Sequence, residues 1–196
     1  MVVATSNIGK LLEIREIMRA VPLELVSMRD IWNYPVEIEE TGSTFLENAH
    51  IKADWVYNNS GFWALADDSG LEVDALGGRP GVFSARFAGE NATTKDNNSK
   101  LLRELHNVDA RDRTARFRCV IVLKTGHDTF LTSECFCNGR IGFESHGENG
   151  FGYDPLFIPD GYERTFAQLS SEEKHILSHR GKALKSMVEK LDAILL

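Results

Sequence analysis

Residues 115 to 137 carry the pattern that most restricts the fold of this chain. Ala115, Phe117, Cys119, Ile121 and Leu123 alternate with positions that include Arg116 and Arg118, the period of two expected of a strand with one buried face. "KTGHDT" then turns the chain, and Thr129 to Cys137 reads as the returning strand of a hairpin. The apolar face of such a hairpin needs covering, and helical periodicities elsewhere supply the cover. Asn7 caps a predicted helix from Ile8 to Ala20 with Leu11, Leu12, Ile14 and Met18 on its apolar face. Thr44 and Glu47 have capping-box spacing ahead of Phe45, Ala49, Ala53 and Val56, and Gly61 ends that helix. Lys95 to His106 turns Leu101, Leu102 and Leu105 inward. Ser170 and Glu173 form a second capping box, and after Ser178 a last helix buries Ala183, Leu184, Met187 and Leu191. Short apolar runs at 2–5, 23–28, 62–66 and 71–76 read as further strands, the last two flanking a "DDSG" turn. The class is α/β with a mixed sheet.

At 196 residues and 42% hydrophobic content the chain can build one substantial core, and no low-complexity linker divides it, so 1–196 reads as a single domain. The formal net charge of -7 argues against a nucleic-acid or anionic-membrane partner, either of which calls for a basic surface. No stretch approaches the roughly 18 apolar residues of a membrane span, and the expected location is the cytoplasm. Cys119, Cys135 and Cys137, odd in number and within strand-like sequence, suit reduced thiols. Cys135 and Cys137 lack a second pair that would complete a zinc set. His175 and His179 are spaced i, i+4 but lack the glutamate of a zinc helix.

Four segments carry chemistry. "TSNIGK", residues 5–10, is a strand-to-helix loop whose free N–H groups, helix dipole and Lys10 form a phosphate cradle; it lacks the spacing of a Walker A loop. "EIEETG" at 37–42 and "ADDSG" at 66–70 offer hard oxygen ligands from two loops, the donor type magnesium uses when it keeps waters and binds phosphates. Two adjacent carboxylates in apolar sequence also call for a nearby cation. Sequence alone leaves open which of Asp67 and Asp68 is the ligand. "GENGFGYDPLFIP" at 147–159 sets Phe151 and Tyr153 among glycines, suited either to stacking a purine or to capping the core. In "SSEEKHILSHRGKAL", His179 and Arg180 follow a Ser178 cap, where cations oppose the helix dipole unless an anionic or oxygen-rich partner is present.

Together "TSNIGK", "EETGSTFLENAHIKA", "ADDSGLEVDALGGRPGVFSAR", "FGYDPLF" and "EEKHILSHRGKAL" resemble, nearly end to end, the inosine triphosphate pyrophosphatase family, which hydrolyses non-standard purine nucleoside triphosphates to the monophosphate and pyrophosphate. Ser6 is the visible departure, standing where many bacterial relatives have glycine. The resemblance implies an elongated mixed sheet flanked by helices, two lobes with the active site in the cleft between them, and a homodimer. It implies that Thr5, Ser6, Asn7, Ile8, Gly9 and Lys10 bind the triphosphate, with Lys52 on the phosphate side. Glu39 and Asp68 would hold Mg²⁺, and Asp68 would also be the general base, with Ser69 and Arg86 in the substrate site. Phe151, Gly152, Tyr153 and Asp154 would contact the nucleoside, and Lys174, His179 and Arg180 the base. Two other readings are a non-catalytic nucleotide sensor, against which the acidic pair argues, and a pyrophosphatase for pyrimidine or other modified nucleotides, against which "SHRG" with "FGYD" argues.

Overall fold

The computed structural model describes residues 1–195. Strand β1 (Val2–Val3) leads through the Thr5–Asn7 loop into α1 (Ile8–Ile17), where the Asn7 side chain accepts the Lys10 N–H as the capping preference predicts. The helix stops three residues before Ala20, and Leu12 is exposed, so its buried stripe is Ile14 and Met18 with Leu11 beside them. Strand β2 (Val26–Ser27) runs directly into a helix absent from the sequence reading, α2 (Met28–Trp32), closed by a Ser27–Asp30 capping box. The Ser-x-x-Asp spacing was the signal for it, with aspartate in place of the usual glutamate.

Helix α3 (Phe45–Ser60) agrees with its sequence signals throughout. Thr44 and Glu47 cap each other's backbone, Phe45, Ala49, Ala53 and Val56 are buried, and Gly61 ends the helix at φ 71°. That left-handed conformation carries no Cβ penalty for glycine.

Strand β3 (Ala64–Val73) corrects the expected turn: "DDSG" lies inside one continuous strand, and Asp67 and Asp68 stand in mid-strand, not at its end. Turn preference for Asp-Ser-Gly is local, whereas β1 and β4 flank β3 in the sheet and supply ladder partners along it. After α4 (Thr94–Glu104), β4 (Thr114–Gly126) and β5 (Thr129–Ile141) form the hairpin, joined by His127 and Asp128. Alternation in burial holds only to Cys119; from there to Lys124 every residue is buried, so half-buried describes only the beginning of β4. Strand β6 (Phe157–Pro159), α5 (Ser171–Leu177) and α6 (His179–Leu195) complete the chain, with Ser178 between the two helices as its capping preference predicts.

The six strands form one mixed sheet in the order β2-β1-β3-β4-β5-β6, with β1 parallel to β2 and β3, and β6 antiparallel to β5. Helices accompany it, as expected for the α/β class. The chain forms two compact units. The first comprises residues 1–68, 119–135 and 180 onward, with a core of Val3, Ile14, Leu65, Ile121, Leu184 and Met187 among others. The second comprises 69–118 and 136–179, with Leu71, Leu101, Phe117, Phe157 and Phe166 at its centre. Phe117 meets the Phe157 ring edge-on at 4.7 Å. Fully buried side chains such as Leu65 and Leu71 each contribute about 2 kcal/mol by removal from water. All three cysteines are free thiols.

Candidate active site

Successive residues of a strand point to opposite faces, so the adjacent aspartates of β3 meet different neighbours. Asp67 is buried among cations. Its Oδ1 pairs with Lys10 Nζ at 2.6 Å, and its Oδ2 accepts from Arg180 Nε at 3.2 Å and from the Cys119 thiol at 3.1 Å. Arg180 in turn donates through Nη1 to Glu13 Oε2 at 2.5 Å. Burial pushes the Asp67 carboxyl up, but Arg180, Lys10 and Lys52 outweigh it and hold the group far below the usual carboxylate range. The same surroundings raise Arg180: burial opposes its charge, and Asp67 and Glu13 more than restore it. Cys119 is pushed well up by burial and by Asp67, so it stays a thiol and donates.

Asp68 faces α3. Asn48 Nδ2 donates to its Oδ2 at 3.2 Å, and Lys52 Nζ lies 3.3 Å from its Oδ1. Lys52 also donates to Glu40 Oε1 at 2.7 Å and to the Asp67 carbonyl at 2.8 Å. Burial disfavours its charge, but Asp68, Glu40 and Asp67 together raise its pKa. For Asp68 the balance falls the other way: burial raises its pKa, Lys52 and Lys10 only partly oppose this, and Glu40 and Asp67 push it further up. Two neighbouring carboxylates thus have opposite proton affinities. The surroundings favour the anion at Asp67 and the protonated form at Asp68.

The rest of the first unit's predicted residues lie in the loop entering α1. Thr5 accepts the Asn7 N–H through its hydroxyl at 3.2 Å, and Asn7 caps Lys10 at 3.1 Å. Helix geometry leaves the N–H groups of Ile8 and Gly9 without intrahelical acceptors, while Ser6, Asn7 and Ile8 are exposed. A cavity of about 390 Å³ opens beside this loop, lined by Thr5, Ser6 and Ile8 together with Met28, Arg29 and Val36. Lys10 is engaged by Asp67 at the rear of the loop.

In the second unit, Asp154 Oδ2 accepts the Phe151 N–H at 2.8 Å and pairs with Lys174 Nζ at 2.6 Å. The Lys174 ammonium also lies 4.8 Å from the centre of the Phe151 ring. Gly152 accepts from Asn98 Nδ2 at 3.1 Å through its carbonyl. The Tyr153 side chain belongs to the core and donates its hydroxyl to the Ser84 carbonyl at 2.9 Å, which leaves Phe151 as the half-buried aromatic of that segment. His179 stacks on Phe117, with ring centres 4.6 Å apart and planes 8° from parallel. Ser69 follows Asp68 on β3 and is half-buried. Arg86 sits 3.6 Å from the exposed Glu90 and 5.2 Å from the Phe83 ring. Arg180, grouped with Lys174 and His179 by the sequence, pairs with Glu13 and Asp67 in the first unit.

Among the described residues no group of three or more His, Cys, Asp or Glu side chains could hold a metal ion. The donors at Asp68 suit a hard cation that completes its shell with water and substrate oxygens, since such an ion takes only one or two carboxylates from the protein. Asp68 is a buried carboxylate with two long contacts, and Glu40 reaches the same ammonium. Glu39, the predicted second ligand, is exposed. The sequence reading passed over Asn48 and Glu13, and it took Glu40 only as part of the acidic loop and Cys119 only as a core thiol. Asn48 and Lys52 at i, i+4 on α3 were the available signal for one of these, and Lys10 and Glu13 at i, i+3 on α1 for another.

A protein of Desulforamulus reducens named dITP/XTP pyrophosphatase is 48% identical over 99% of this chain and 96% of its own length. The Bacillus subtilis protein of that name is 44% identical over 98% of the chain and 96% of its own. Among solved structures, a HAM1 protein from Coxiella burnetii superposes with a TM-score of 0.88 at 43% identity, covering 98% of both chains. The Staphylococcus aureus Ham1 protein does so at 0.86 and 38% identity, covering 98% of this chain and 97% of its own. With the Ham1 family model matching residues 1–190, this chain belongs to the Ham1 family.

Proposed function

We propose that this protein hydrolyses non-standard purine nucleoside triphosphates, those of inosine, deoxyinosine and xanthosine, to the monophosphate and pyrophosphate. The observation that carries the reading is the unequal company of the two aspartates beside the loop entering α1: Lys10, Arg180 and the Cys119 thiol converge on Asp67, whereas Asp68 is met by longer contacts from Asn48 and Lys52. A sensor that only bound nucleotide would have no use for a buried, proton-accepting carboxylate there. Asp68 takes a proton from water as the water oxygen attacks the α-phosphorus, and the bond to the bridging oxygen breaks to release pyrophosphate. Lys10, anchored by Asp67, and the free N–H groups of Ile8 and Gly9 hold phosphate oxygens. Asp68, with Glu39 or Glu40 from the acidic loop, would hold Mg²⁺, which when bound supplies charge neutralisation at the phosphates and a more acidic water. In the second unit, the Lys174–Asp154 pair and the Phe151 ring read the purine. The 6-oxo group of inosine accepts from the Asp154-held Lys174 ammonium, whereas the 6-amino group of adenosine sets a second donor against it.

On this reading residues 1–196 form one catalytic domain that assembles as a homodimer, cleansing the cytoplasmic nucleotide pool before such nucleotides enter DNA or RNA. Among the described residues no helix is long and apolar enough to cross a membrane. The test is incubation with inosine, xanthosine, guanosine, adenosine and pyrimidine triphosphates, with Mg²⁺ or with chelator, resolving pyrophosphate from orthophosphate. Pyrophosphate from the inosine and xanthosine nucleotides at rates well above those on adenosine and pyrimidine triphosphates, abolished by chelator, is the expected result. Orthophosphate as the product, or equal rates on adenosine triphosphate, would overturn it.

A further inference from the structure

We propose that Asn48 is a positioning residue, its side-chain amide tying the acidic loop at Gly42 to the Asp68 carboxylate. The inference rests on the reading of Asp68 as the general base. Asn48 is 1% exposed, and both ends of its amide are engaged. Gly42 N–H lies 2.8 Å from Oδ1, and Nδ2 lies 3.2 Å from Asp68 Oδ2. A main-chain N–H can only donate, which fixes the amide: oxygen toward Gly42, NH₂ toward Asp68.

One turn later on α3, Lys52 makes the matching pair of contacts, to Glu40 at 2.7 Å and to Asp68 Oδ1 at 3.3 Å. The helix therefore holds each carboxylate oxygen with a separate donor and grips the loop at two points, residues 40 and 42. Rotation about the last bond of an aspartate is soft, so one donor lets the carboxylate swing, while two donors on different oxygens fix its plane. Gly42 is part of the device, since a Cβ there would stand 2.6 Å from Asn48 Oδ1 and from Glu47 Cβ.

Asn48→Asp separates the two halves of the bridge: it keeps an acceptor for the Gly42 N–H and replaces the donor facing Asp68 with another acceptor. We expect Gly42 amide exchange within about threefold of wild type by NMR, kcat on inosine triphosphate lowered about thirtyfold or more, and KM changed less than about threefold. Asn48→Ala breaks both halves, speeding Gly42 exchange at least about tenfold and lowering kcat similarly. A purely structural Asn48 would lower Tm and leave kcat of the folded protein intact. An Asn48→Asp enzyme with kcat within about twofold of wild type would overturn the positioning role alone. A wild-type chain releasing no pyrophosphate from any nucleotide would overturn the function itself, and the positioning role with it.

Discussion

Replacing each aspartate of β3 by asparagine should move stability in opposite directions. The Asp67 side chain is 0% exposed, and it is the common anion of Lys10 and Arg180. Asp67→Asn keeps the shape but leaves two cations facing a neutral amide. Removing one partner of a buried pair costs about 3–5 kcal/mol. At roughly 2–4 °C per kcal/mol for a chain of this size, Tm should fall by roughly 6–20 °C. Asp68→Asn should instead raise Tm at neutral pH, because burial penalises the ionised Asp68 in the folded state, while kcat falls on the order of 10³-fold with loss of the base.

The pH dependence separates the two further. Asp67 is depressed, so its stabilisation is present above its ordinary 3.8 and is lost as pH falls below that, narrowing the gap between wild type and Asp67→Asn in acid. Asp68 is raised, so its ionisation costs stability as pH climbs from 3.8 through its folded value, and the advantage of Asp68→Asn should open over that rise. Thermal and urea unfolding followed by circular dichroism from pH 3 to 8 would measure both. Shifts of the same sign for the two variants, or a loss below about 1 kcal/mol in Asp67→Asn, would refute the assignment of charge.

Lys10→Ala should lower kcat/KM on inosine triphosphate by about 2–4 kcal/mol of transition-state stabilisation, and an unchanged value would reduce the loop to a helix cap. Arg180→Ala should lower Tm and reduce activity on inosine and adenosine triphosphates by the same factor, since its guanidinium serves Asp67 and Glu13; a selective loss on inosine would return it to base reading. Lys174→Ala should narrow the inosine-to-adenosine ratio of kcat/KM by about tenfold or more, checked by steady-state kinetics on both nucleotides. Thr44→Ala should cost about 1 kcal/mol in urea unfolding through loss of the α3 cap, with kcat preserved.

The amino-acid sequence by itself determined the parts whose energies are local. Asn7, Thr44 and Ser170 mark helix starts because a side-chain oxygen satisfies an N–H three residues away. Gly61 marks a stop because a φ of 71° disfavours most residues other than glycine, and the β4–β5 hairpin follows from alternation and a short turn. The need for a cation near Asp67 and Asp68 was equally legible, since charge repulsion between neighbours is fixed by covalent order. Only the tertiary structure decided that "DDSG" is strand, because ladder partners on β1 and β4 come from distant sequence. Burial of Tyr153 and full burial of β4 beyond Cys119 likewise depend on what packs from elsewhere. The roles of Asp67 and Asp68 depend on Arg180, 113 residues from Asp67, and on Lys52, 16 residues from Asp68. A pKa is set by the charges and solvent around a group in space, and those neighbours are assembled only when α1, α3 and α6 bring their side chains to β3.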